Sequence, residues 1–185
     1  MNWLAKNQIR SVTITTAFLT ALFLDCTAVA QQAVEPVHVL VATWLIKNCE
    51  VGEEKRLEIE LKKGAEVARP LLLEAAAKGP DSKVLADFDR ASGLRYQQRQ
   101  TLLGKGEGLG LSKEDLEAAR KITREGFVAR EREDFDLRYR SQALLGLGIV
   151  GGDEAKSLLQ RTARDKQSPL QSSAAEALRR MQEKQ

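Results

Sequence analysis

Apolar residues recur at helical spacing along most of this chain. Val37, Leu40, Val41, Trp44 and Leu45 mark a helix over about 36–48, with Pro36 in its first turn. Val39, Ala42 and Ile46 widen the stripe to most of the circumference, so this helix is expected to be sandwiched between neighbours; its valines leave a strand as the alternative. From Gly52 to Pro80 the pattern is a helix, a break at Gly64 and a second helix. Leu57 and Leu61 share a face in the first, and Val67, Leu71 and Ala75 with Leu72 and Ala76 do so in the second. Pro70 falls where a helix would lose a hydrogen bond or kink, and Gly79 with Pro80 is a stop signal.

Asp81 or Ser82 can cap the next helix, in which Val84, Leu85, Phe88, Ala91, Arg95 and Leu102 follow a looser period to about Leu103 and Gly93 weakens the middle. The run "GKGEGLGLS" then reads as a flexible connector, because it lacks both the phosphate-loop signature and a hydrophobic strand feeding it. Ser112 with Asp115 opens a further helix by a capping-box pattern. Leu116, Ala119, Ile122 and Phe127 carry that helix into the charged "REREDFD".

Composition sharpens the class. Aromatics make up 5% of the 185 residues and charged side chains 30%, and β-branched residues are scarce after the first fifty positions. This predicts a single all-α domain.

The first thirty residues stand apart. Lys6 and Arg10 precede an uncharged run from Ser11 to Leu24, and Ala28 and Ala30 supply small residues before "QQ", which is the layout of a secretory signal peptide over 1–30. The run is shorter than the roughly 20 residues a membrane span needs, although an uncleaved N-terminal anchor is the competing reading. Asp25 before Cys26 argues against a lipoprotein. Cleavage after Ala30 leaves Cys49 as the single cysteine, too few for an internal disulfide, and a small core residue by its place in the pattern. It also removes Lys6, Arg10 and Asp25, so 29 basic and 26 acidic residues become 27 and 25, and the net charge falls from +3 to +2. So small an excess is unlike a nucleic-acid-binding surface.

Catalytic parts are few. His38 is the single histidine and is expected to be packed or interfacial, so triads and zinc sites lack ligands. Asp87 with Asp89, and Glu131, Glu133, Asp134 and Asp136, offer carboxylate pairs. The second group is interspersed with Arg130, Arg132 and Arg138, which reads as a solvated, mutually paired face rather than a metal site.

The C-terminal quarter aligns with itself. Placing Tyr139 over Leu170 pairs Ala143 with Ala174, Leu144 with Ala175, Gly146 with Ala177, Leu147 with Leu178 and Val150 with Met181, all at an offset of 31. Ala68, Leu71 and Leu72 echo Ala155, Leu158 and Leu159 at an offset of 87. A period near 30 with small residues at fixed places is a signature of stacked helical hairpins.

With Tyr139–Arg140, Ala143–Leu144, Gly146–Leu147–Gly148, Val150–Gly151 and Asp153, followed by Ala155, Leu158 and Leu159, the stretch resembles the HEAT-like repeats of phycobilisome lyases and many bacterial repeat proteins. The resemblance is clear over about 45 residues and weak through a divergent middle section, 80–136. It implies a short α-solenoid of stacked hairpins over 31–185.

"GLGIVG", Gly146–Gly151, also matches the dinucleotide-binding spacing G-x-G-x-x-G, but no buried strand precedes it and no second strand follows. As a hairpin, Gly146 allows close packing, Gly148 ends the helix in a left-handed conformation, Gly151 and Gly152 turn the chain, and Asp153 caps the next helix. Ile149 and Val150 seal the turn.

The sequence therefore predicts an exported, periplasmic or secreted, non-catalytic interaction module without a cofactor. Its partner is expected to be a protein rather than nucleic acid, with membrane contact only if the N-terminal segment is retained. Lys156, Gln160 and Arg164, on the polar side of the helix over 153–166, are the expected partner contacts. A bilin lyase or chaperone-like activity, suggested by the family resemblance, and a membrane-anchored envelope subunit are the alternatives. Sequencing the N-terminus of the exported protein is expected to read Gln31 first; finding Met1 or Asn2 there would exclude cleavage.

Overall fold

The computed structural model describes residues 35–47, 53–105, 110 and 112–183, and within them all regular structure is helical, with no strand. The helices are α1 (Glu35–Ile46), α2 (Glu53–Lys63), α3 (Ala65–Lys78), α4 (Ser82–Lys105), α5 (Lys113–Arg120), α6 (Arg124–Val150), α7 (Asp153–Arg164) and α8 (Gln171–Gln182). The expected signal segment over 1–30, Cys49 and most of the glycine-rich connector lie outside the described residues.

Local chemistry sets the boundaries. Asp81 caps α4 by accepting from the Val84 amide at 2.8 Å, and Ser112 caps α5 by accepting from the Asp115 amide at 3.0 Å. Pro70 does not break α3, which runs through it with the ring exposed. The helix expected to continue from Ser112 into the charged run is interrupted instead. Lys121–Thr123 leave the helix, and Thr123 caps α6 by accepting from the Gly126 amide at 3.1 Å. A second capping residue inside a helical hydrophobic pattern permits this restart.

The 27-residue α6 is the axis of the molecule and packs on α1, α2, α3, α4, α7 and α8. Against α3 it runs antiparallel: Arg69 donates to the Gly151 carbonyl at 2.9 Å, while Arg140 donates to the Ala77 and Lys78 carbonyls at 3.1 and 3.3 Å. Arg140 thereby caps the C-terminus of α3, where exposed carbonyls and the helix dipole favour a cation. Thirty-one positions later, Gln171 does the same for α7, its side-chain amide donating to the Ala163 carbonyl at 3.3 Å. Burial follows the 87-residue echo as well. Ala68 and Leu72 are wholly buried and Leu71 partly so, as are Ala155, Leu159 and Leu158 in turn.

The section over 80–136 departs from this pattern because α4 and the N-terminal half of α6 pair with each other. Phe88 stacks on Phe135, Arg95 meets Glu131 at 3.0 Å, and Tyr96 packs on Phe127, so the two helices are antiparallel. Of the carboxylates expected to form a solvated, paired face, Glu131 is instead an inter-helix tie to Arg95, and Asp136 braces Arg140 within α6 at 2.9 Å. Asp89, from the other carboxylate pair, faces Arg132 across the two helices at 3.7 Å.

Three local expectations are corrected. Helix α1 is not sandwiched: Val41, Trp44 and Leu45 are buried, but Val39 and Ile46 are 63% and 55% exposed and His38 is exposed. Gly148 does not end a helix, since α6 continues to Val150 and the positive φ angles belong to Gly151 (68°) and Gly152 (100°). Asp153 is the first helical residue rather than the cap, a position held by Gly152. Gly148 instead lies against α8, where a Cβ would stand 2.6 Å from the Ala177 carbonyl oxygen.

That contact gives a test. Gly148→Ala must displace α8 backbone and is expected to destabilise by about 1–3 kcal/mol. Gly104→Ala, in a helix with nothing within 4 Å of the new methyl, is expected to gain up to about 1 kcal/mol. Urea unfolding distinguishes them; equal midpoints for the two variants would contradict the close approach.

Candidate functional surfaces

Two surfaces carry side chains that the fold does not consume. The first is the outer face of α7. Ala155 and Leu159 are wholly buried on its inner side, while Lys156, Gln160 and Arg164 are exposed. At intervals of four residues these three form a row about 12 Å long. Arg164 also sits in the last turn, where its charge complements the helix dipole, as Asp153 and Glu154 do at the start. Arg164 thus has a helix-stabilising role besides its place in the row.

The second is an open-sided groove of about 830 Å³ between the end of α1, α4 and α6. Its floor is aromatic. The Phe88 and Phe135 rings stack with centroids 4.2 Å apart at 11°, and Tyr139 tilts against Phe135 at 5.9 Å. Burial, aided by the Asp81 charge, pushes the Tyr139 hydroxyl above its usual range, which keeps it neutral. Arg95 lies 5.1 Å over the Phe88 ring and pairs with Glu131, while Asp87 is paired with Arg90 at 3.2 Å.

At the inner end of the groove stand Lys47 and Gln142. The Lys47 side chain is only 9% exposed, with its ammonium 3.7 Å from the Trp44 ring centroid and 3.5 Å from Glu54 Oε1. Among the described residues neither Lys47 Nζ nor Gln142 Oε1 has a hydrogen-bond partner. Sequence patterning could not find this groove, because its residues come together only through the α4–α6 register and the landing of α1 on α6. Among the described residues no cluster of His, Cys, Asp or Glu suits a metal ion.

An ion network ties the C-terminal helix to α2. Arg180 reaches Glu58 and Glu176 at 3.0 and 2.9 Å, and Arg179 pairs with Glu176 and Glu183. Hydrogen bonds from Arg179 and then Arg180 hold the Glu176 carboxyl down at about 2. Compared with known proteins, the chain has no significant match among family models, curated proteins or solved structures.

The network predicts an acid response. A carboxyl depressed in the folded state adds stability that is complete above its ordinary value of 4.5 and is lost as pH falls towards about 2. The thermal midpoint is therefore expected to drop across that window, and to drop less in Glu176→Gln. Identical slopes for the two proteins, followed by circular dichroism, would remove Glu176 from the explanation.

Proposed function

We propose that this chain is an exported, non-catalytic module whose helices form a short HEAT-like α-solenoid and whose outer α7 face docks a protein partner. The observation that carries the reading is the open row of Lys156, Gln160 and Arg164 on a helix whose inner face is consumed by packing. Repeat arrays bury a common core by stacking and leave one row of helices free for ligands. The corresponding roles of Arg140 and Gln171, each holding the end of the preceding helix, support the stacked-hairpin part of the proposal.

Export rests on the sequence of residues 1–30, which lie outside the described residues. Among the described residues no helix is long and apolar enough to cross a membrane. A partner meeting two cations and an amide is expected to present acidic and amide groups. Exposed contacts of this kind contribute mainly to encounter rate and orientation.

The decisive comparison is recovery of the partner from envelope extract by the native chain and by a Lys156→Glu, Gln160→Glu, Arg164→Glu variant. All three positions are exposed, so the variant is expected to keep its melting temperature within a few degrees and to lose the partner. Unchanged recovery defeats the assignment of this face.

A further inference from the structure

We propose that the groove between the end of α1, α4 and α6 binds the carboxylate end of an N-acylated amino acid with an apolar side chain, the chemistry a peptide C-terminus also presents. The groove shares no residue with the α7 row, so this site stands or falls independently of it.

Three features of the groove specify the ligand. The first is a cation with unused donors. The Lys47 ammonium carries three N–H groups, is withdrawn from water and makes no hydrogen bond among the described residues; the Trp44 face and the Glu54 carboxylate 3.5 Å away compensate its charge without satisfying those donors. An anionic oxygen is the group that satisfies them, and hydrogen bonds between charged partners are the stronger kind.

The second is an acceptor without a donor. Gln142 Oε1 is buried and unpaired, and its residue is tied to the same indole that lies under Lys47, since Trp44 Nε1 donates to the Gln142 carbonyl at 2.7 Å. A simple fatty carboxylate would leave this oxygen unsatisfied. An N-acyl amino acid carries an N–H one carbon from its carboxylate, so it brings a donor for Gln142 as well as an anion for Lys47, and its entry requires both enclosed side chains to turn towards the groove.

The third is the aromatic floor of Phe88, Phe135 and Tyr139, which offers burial to an apolar side chain or acyl group. At about 830 Å³ the groove lies within the range of small-ligand sites, about 300–1,000 Å³. Charge agrees in sign. Glu131 and Asp87 are already paired, whereas the Arg138 Nε donates to the Asp134 carbonyl rather than to a carboxylate.

The test is calorimetric titration of the full chain with N-acetyl-leucine and with its methyl ester. The acid is expected to bind, and the ester to bind at least about tenfold more weakly, because it cannot offer the ammonium a full negative charge. Lys47→Met, which keeps an apolar stem over Trp44, is expected to abolish the preference for the acid while the helical circular dichroism signal persists. No heat from millimolar acid, equal affinity for acid and ester, or an acid preference that survives in Lys47→Met would each overturn the proposal. A pentapeptide ending in leucine separates the sources. Tighter binding than N-acetyl-leucine assigns the site to a protein C-terminus, and equal binding assigns it to a free acyl amino acid.

Discussion

The fold depends on a bare patch of backbone at Gly146. A Cβ there would stand 2.9 Å from both Leu72 Cδ2 and Trp44 Nε1, so the missing side chain lets α1 and α3 meet α6 at one point. Trp44 is wholly buried and uses the gap to reach the Gln142 carbonyl, which pairs its one polar atom. An indole of this size hides about 200 Å² or more, worth on the order of 5 kcal/mol. A methyl at Gly146 would push out both the ring and Leu72. The helix-propensity penalty of glycine, about 1 kcal/mol, is small beside what the gap admits.

The same economy of side-chain volume recurs along α6 and explains why one helix can touch so many others. Gly148, two residues on, admits the α8 backbone, and Ala143 and Ala174, 31 positions apart, are both wholly buried. Polar side chains then fix the direction of each approach. Arg140 and Gln171 differ in charge but both hold the last turn of the preceding helix, a role that requires only a donor of sufficient reach. Arginine's extra length lets it span two carbonyls while Asp136 braces it; glutamine reaches one.

Much of this was legible from the chain. The helical class, the break at Gly64, the stop at Gly79, the caps at Asp81 and Ser112, and the turn at Gly151–Gly152 each follow from one or two residues with a local preference. What was misread depended on partners distant in sequence. Gly148 looks like a helix terminator until Ala177 is known to press on it, and α1 looks surrounded until its Val39 face proves open. The restart at Thr123 was hidden because Leu116, Ala119 and Phe127 keep helical spacing across the interruption. The groove was invisible for a stronger reason. Lys47 and Gln142 are 95 positions apart, and nothing in the local pattern of either encodes the Trp44 indole that joins them.

Helix α6 has two environments along its length, and the groove lies at their junction. From Ala143 onward it is enclosed by α1, α3 and α8, and every residue there except Leu145 is buried. Before Tyr139 it has α4 as its main companion and much of its circumference is open. A pair of helices covers only one stripe of each partner, so a concavity must form where enclosure gives way to pairing. The end of α1 lies beside that concavity, and Trp44 sets Lys47 there because the indole that locks α1 to Gln142 also presents its face to the ammonium. The requirement that closes the core at Gly146 thus also fixes a buried cation in the lining of an aromatic groove. The position of this candidate binding site is a consequence of the packing rather than an addition to it.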